Sequence, residues 1–195
     1  MVAVEAQRFE AGWWAGCENT YTEETKQHVY ARCMAVPLVD YGGPGPQIDL
    51  GGHSVLDLGG GPVSLLLKAA NSQRLTVVDP CPYPTWVWQR YFQADPSITL
   101  IQAEAETYKS PLHYDEAWIY NVLQHVRDPE AVVQTARSSA DLVRIFDWID
   151  MPIYEGHPHS LSQEQLDEYF EAEGAVGELN EQGCVGRAYW GVFPQ

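Results

Sequence analysis

"VLDLGGGPVS", Val55 to Ser64, joins a short apolar run to three successive glycines and a proline. Only glycine lacks a Cβ, so three in a row mark a place where the backbone comes close to another backbone or to a ligand. Val55–Leu58 reads as a strand and Gly59–Gly61 as the turn after it. Pro62 suits the first residue of a following helix, where its missing N–H costs nothing. Such a turn aims glycine backbone and a helix N-terminus at the carboxyl end of a strand, where open α/β sheets bind their ligands.

Outward from this turn, apolar runs recur at 54–58, 75–78, 98–101, 117–122 and 142–146, with helix-compatible segments between most of them. Their near-continuous Val, Ile and Leu suit strands covered on both faces, hence a parallel sheet wrapped by helices. After Phe146 the rhythm changes. Ser162 and Gln165 form a capping box, Leu161 and Leu166 the staple around it, and Gly174 is placed to end that helix. The segments 175–179 and 187–193 are close enough to pair as an antiparallel hairpin through Glu181, Gln182 and Gly183. Upstream, Thr20 as N-cap with Glu23 three residues on opens a helix running to Met34. "YGGPGPQIDLGG", Tyr41 to Gly52, reads as a linker. The chain divides into a helical segment at 1–40, a linker at 41–52 and one α/β domain at 53–195.

The 195 residues hold 11 basic and 27 acidic side chains, a net charge of -16, so nucleic acid is disfavoured as a partner. Four cysteines, Cys17, Cys33, Cys81 and Cys184, lie far apart with no CxxC pair, which suits reduced thiols. No segment approaches eighteen apolar residues and the first residues lack a basic region followed by an apolar stretch, so neither membrane insertion nor secretion is expected. A soluble cytoplasmic monomer or homodimer is the expectation.

Asp57-Leu58-Gly59-Gly60-Gly61 resembles the first motif of the class I S-adenosylmethionine-dependent methyltransferases, an acidic residue followed by x-Gly-x-Gly; Val63 stands where the family often has a third glycine. "LTVVDP" ends a second strand with Asp79, twenty-two positions after Asp57, where the family places the carboxylate that receives both ribose hydroxyls. "ITLIQAEAETY" resembles the third-strand motif, with Glu104 near the adenine amino group and Ala105 beside the ring. "YDEAWIYNVLQHVRDPEAVV" resembles the fourth-strand motif, with Asn121 and His125 at characteristic positions. The resemblance implies a Rossmann-like, seven-stranded, mostly parallel sheet with a C-terminal antiparallel hairpin and helices on both faces. It implies S-adenosylmethionine as cofactor, held by Asp57, Gly59, Gly60, Gly61, Asp79, Pro80, Glu104, Ala105 and Asn121. The helical segment 1–40, with Trp13 and Trp14, would be a lid over it.

Methyl transfer from a sulfonium needs alignment of donor and acceptor, and a base where the acceptor must lose a proton. His125 and His157 are the candidates, since histidine titrates near neutral pH. Trp14, Trp148, His159 and Arg187 are candidate acceptor contacts, and the acceptor is expected to be a small molecule with an oxygen, nitrogen or carbon nucleophile. No metal is expected, because no carboxylate or cysteine completes a ligand set around these histidines. Two other readings stay open: an NAD(P)-dependent oxidoreductase, which would need a better GxGxxG, and a catalytically silent S-adenosylmethionine-binding regulatory module.

Overall fold

The computed structural model describes residues 2–15, 18–39 and 47–195. Cys17 and the first part of the expected linker, 41–46, lie outside the described residues. The chain begins with α1 (Val2–Trp13) and α2 (Glu18–Cys33), followed by the short strands β1 (Leu38–Val39) and β2 (Gln47–Asp49). Thr20 lies inside α2 rather than capping it, and the helix starts two residues earlier. The end of the expected linker is also structured. Ile48 is fully buried and β2 pairs with β1 and with a later strand, because an apolar side chain here has core to cover.

The glycine-rich stretch follows β3 (Ser54–Leu58), whose five residues are all buried. No α-helix comes after it. Two 3₁₀ turns, Gly61–Val63 and Leu65–Lys68, lead into β4 (Ala69–Ala70), which pairs with β2. Side-chain hydroxyls replace the helical partners here: Leu65 N–H donates to the Tyr120 hydroxyl at 2.8 Å, and the Tyr91 hydroxyl donates to Gly61 O at 2.6 Å. Ser64 is extended between the turns, and its hydroxyl accepts Leu66 N–H. The expected helix N-terminus at the glycine turn is therefore a three-residue 3₁₀ turn, too short to carry a helix dipole.

Alternation then proceeds as β5 (Arg74–Asp79), α3 (Thr85–Ala94), β6 (Thr99–Gln102), β7 (Tyr114–Tyr120), α4 (Pro129–Ser139) and β8 (Ala140–Trp148). Asp128 caps α4 by accepting Ala131 N–H, and Pro129 occupies its first turn. α5 (Gln163–Phe170) has the capping box of Ser162 and Gln165. It ends at Glu171, in the left-handed region with φ 54°, not at Gly174. Gly174 serves packing instead, since a Cβ there would lie 2.2 Å from the Tyr189 ring. β9 (Ala175–Glu181) and β10 (Cys184–Pro194) form the closing hairpin, with Gln182 and Gly183 both at positive φ as a two-residue turn of this hand requires.

The seven-stranded sheet has the order β6-β5-β3-β7-β8-β10-β9, parallel through β8 and antiparallel on both sides of β10. The order reverses between β3 and β7, the switch point at which such sheets open a crevice at their carboxyl ends. The period-two pleat sends alternate strand residues to two cores. Val55, Val77, Trp118 and Tyr120 pack with α2 and α3; Leu56, Leu58, Ala117 and Ile119 pack with α4 and α5. This is the α/β architecture, helices on both faces and terminal hairpin, that the motif spacing implies.

Candidate functional site

Pairing of β3 with β5 and β7 brings Gly59, Asp79 and Asn121 to one edge of the sheet. Asp57, one pleat below, is fully buried; its Oδ2 accepts the Ser64 hydroxyl at 2.5 Å and the Tyr120 hydroxyl at 2.8 Å. Burial pushes its carboxyl up to about 7, with the charge of Asp79 adding to that rise and the two hydroxyls pulling the other way. Asp57 is thus the floor under the turn and does not line the cavity above it. The glycines are dictated from below: a Cβ at Gly60 would lie 2.4 Å from Asp57 Oδ2, and one at Gly59 would lie 2.6 Å from Val122.

Asp79 ends β5 and does face the cavity. Its Oδ1 accepts Cys81 N–H at 2.9 Å and its Oδ2 accepts Gly61 N–H at 3.2 Å, which aims the carboxylate across the turn. Burial raises its pKa, and the Cys81 N–H, the Tyr83 hydroxyl and the Gly61 N–H oppose that rise. Pro80, Ala105 and Asn121 line the same cavity. Glu104 does not: it is turned outward to Arg127, 3.1 Å away at the surface. Glu106, two residues on, takes its place in the lining and accepts Arg127 N–H at 2.9 Å.

At the end of β7 the chain turns through Asn121, whose φ of 57° suits asparagine better than most residues. The next two N–H groups, of Val122 and Leu123, both donate to Asp147 Oδ2, at 3.1 and 2.7 Å. Burial pushes Asp147 up to about 6 against those same N–H groups. The turn so fixed carries His125. Its Nδ1 lies 2.7 Å from Gly156 O and 3.2 Å from Glu10 Oε1 on α1. Burial would lower the His125 pKa, but Glu10 outweighs it and the net direction is up; the Glu10 carboxyl, which burial would raise, is drawn down by His125. The two directions agree on an ion pair between α1 and the sheet edge.

His157 sits edge-on to His125, ring centres 4.5 Å apart, with its Nε2 2.8 Å from the Tyr154 hydroxyl. Burial and the neighbouring His125 push its pKa down to about 4, so it is neutral at pH 7. The histidines mark the seam between two cavities. The inner one lies over the glycine turn and Asp79; the outer one, of about 270 Å³, lies between α1 and the connection from β8 to α5. Glu10, Trp14, Glu23, Asn121 and His125 line both. Trp148 and His157 line the outer one. His159 and Arg187 line neither: His159 Nε2 is turned to Val126 O at 2.9 Å, and Arg187 is paired with Asp150 at 2.6 Å on the surface.

Several lining residues were not legible beforehand. Glu23, read as a helix cap, instead accepts the Tyr30 hydroxyl at 2.7 Å and holds Lys26 at 3.0 Å. Glu10, Phe9 and Tyr154 carry no motif; their only signal is an aromatic and acidic density around 9–14 and 148–157. Among the described residues no group of three or more His, Cys, Asp and Glu is arranged to hold a metal, and no helix is long and apolar enough to cross a membrane.

Residues 56–139 match the family described as Methyltransferase domain. No curated protein sequence matches the chain. Among solved structures it is similar to DhpI in its S-adenosylhomocysteine complex, at 16% identity over 99% of this chain and 97% of that one, TM-score 0.65. It is also similar to the N-methyltransferase NodS from Bradyrhizobium japonicum WM9 in complex with S-adenosyl-L-homocysteine, at 12% identity over 97% and 98% of the two chains, TM-score 0.66. A third is the 1,6-didemethyltoxoflavin-N1-methyltransferase of Burkholderia thailandensis, with 1,6-didemethyltoxoflavin and S-adenosylhomocysteine bound, at 11% identity over 99% and 88%, TM-score 0.66. At these identities what is shared is the fold.

Proposed function

We propose that this chain, which has the class I S-adenosylmethionine-dependent methyltransferase fold with a methyltransferase-domain match at residues 56–139, moves a methyl group from S-adenosylmethionine to a small-molecule acceptor. The observation that carries the reading is the pair of adjoining cavities sharing Glu10, Trp14, Glu23, Asn121 and His125, one over the glycine turn and one in front of it.

The residues present fit the cofactor. Asp79 accepts the Gly61 and Cys81 N–H groups and the Tyr83 hydroxyl, and with that hydroxyl displaced its remaining lone pairs would accept the two ribose hydroxyls. The glycine turn, where Cβ atoms at Gly59 and Gly60 would meet Val122 and Asp57, admits the methionine portion against bare backbone. Ala105, Glu106 and Val122 line the same cavity and would hold the adenine, Glu106 as the acceptor for its amino group. When bound, S-adenosylmethionine supplies a methyl carbon already activated by sulfonium charge. The chain's own part is alignment, which contributes up to roughly 7–11 kcal/mol to such a reaction. His125, whose pKa Glu10 raises against burial, seats α1 over the cavities through that pair. His157, bonded to the Tyr154 hydroxyl, shapes the wall of the outer cavity in its neutral form, since burial beside His125 disfavours its taking a proton. The free thiols of Cys33, Cys81 and Cys184 suit a reducing, cytoplasmic compartment.

Calorimetric titration with S-adenosylmethionine, S-adenosylhomocysteine and NAD tests the reading. Saturable binding of the first two and none of NAD is expected, with loss on Asp79→Ala. NAD binding, or S-adenosylmethionine binding indifferent to Asp79, would overturn it.

A further inference from the structure

We infer that the outer cavity takes an aromatic amine as methyl acceptor: a flat one- or two-ring molecule whose N–H groups are received by Glu10 and Glu23. The inference rests on the methyltransferase reading above and adds the chemical class of the acceptor.

Shape argues first. At about 270 Å³ the cavity lies just below the usual range of ligand sites, about 300 to 1,000 Å³, which suits a small molecule. Rings make up nearly half of its lining residues. Phe9 and Trp13, one turn apart on α1, lie nearly parallel, with an interplanar angle of 13°. Tyr154 meets Phe9 edge-on at 6.0 Å, and Trp148 closes the end nearest the sheet. Aromatic walls of this kind favour a planar π system, stacked or edge-on.

Charge argues second and independently. Each cation in the lining is already matched by a carboxylate: Lys26 by Glu23 at 3.0 Å and His125 by Glu10 at 3.2 Å. An anionic acceptor would have to displace one of those carboxylates while facing both, inside a chain whose net charge is -16. A ligand N–H meets the opposite situation. Each carboxylate has about four lone-pair sites, and the protein donors to Glu10 (Trp14 and His125) and to Glu23 (Tyr30, Lys26 and Asn121) leave acceptor capacity on both. Both carboxylates also border the inner cavity, so the nitrogen they hold stands at the seam where the methyl group arrives. In the transfer, the nitrogen lone pair forms the new N–CH₃ bond. The S–CH₃ bond breaks with its electron pair left on sulfur, and the N–H proton passes along its hydrogen bond to the Glu10 or Glu23 carboxylate and from there to water.

Three probes of matched size test the class: 4-aminoquinoline, quinoline-4-carboxylate and cyclohexylamine, titrated calorimetrically into protein saturated with S-adenosylhomocysteine. The expected result is binding of 4-aminoquinoline at least tenfold tighter than either other probe. Trp13→Ala should weaken it about tenfold, Trp13→Phe should restore it, and neither should move S-adenosylhomocysteine affinity by more than twofold. Equal or tighter binding of the carboxylate, parity of cyclohexylamine, or no selective binding in protein that holds S-adenosylhomocysteine overturns the acceptor class and leaves the methyltransferase reading standing. Failure to hold S-adenosylhomocysteine at all removes that reading and this inference with it.

Discussion

The inner cavity has the carboxyl ends of β3, β5 and β7 as its floor beneath α1 and α2, whereas the outer one lies between those helices and the connection after β8, where aromatic side chains are concentrated. The first is set by sheet register: Asp57 pairs across to Val77 and Trp118, and the glycine turn rests on it. The second is set by the docking of one helix through two contacts. Phe9 lies so close to Gly156 that a Cβ there would be 2.6 Å from its ring, and Glu10 meets His125 at 3.2 Å. A chain can therefore keep the first cavity while altering the second by changing a handful of residues.

The largest expected effect isolates the inner cavity. Asp79→Asn keeps the side-chain shape but removes the charge from two hydrogen bonds to hydroxyls, and should weaken S-adenosylmethionine about a hundredfold by calorimetry. Trp13→Ala should leave that affinity within twofold, and a comparable loss in both would erase the distinction between the cavities.

The next effect is on stability. The Asp57 carboxyl holds its proton more tightly folded, at about 7, than its ordinary 3.8. Its contribution is complete below 3.8 and is lost as pH rises through about 7. Denaturant melts of Asp57→Asn should lose roughly 2 kcal/mol less than wild type between about pH 5.5 and 8. Parallel curves would mean that Asp57 is ionised throughout this range.

Legibility in the sequence divides along the same line. Gly59–Gly61, Asp79, Ala105 and Asn121 could be read because each sits within a few residues of its own strand end, so a local motif fixes its place in space. Glu104 and Glu106 share that locality, and only the turn after β6 decides which of them faces in. Phe9, Glu10, Tyr154 and His157 lie nearly 150 positions apart and meet only when α1 docks, which no local pattern encodes. The missing helix after Pro62 has the same cause: Tyr91 and Tyr120, distant in sequence, supply the hydroxyls that let the backbone leave the helical path.

Gly156→Ala probes the docking directly. It should cost about 1–3 kcal/mol, the range for overpacking. The cost should appear as faster amide exchange over residues 6–13 with the strand amides unchanged. Phe9→Leu in the same chain should relieve part of it, whereas a global loss of protection would place Gly156 in the common core. The smallest effect concerns pH. Because His125 is held above its ordinary pKa, the Glu10 pair stabilises the docked helix fully below about 6.5 and loses its effect as pH rises through the raised value. Exchange of α1 should quicken by a few-fold over that range in wild type and stay flat in Glu10→Gln.

Glu10 and Trp14, one turn apart on α1, each border both cavities. The two chambers therefore share one door. On the reading proposed above, lifting that one helix would open cofactor and acceptor sites together.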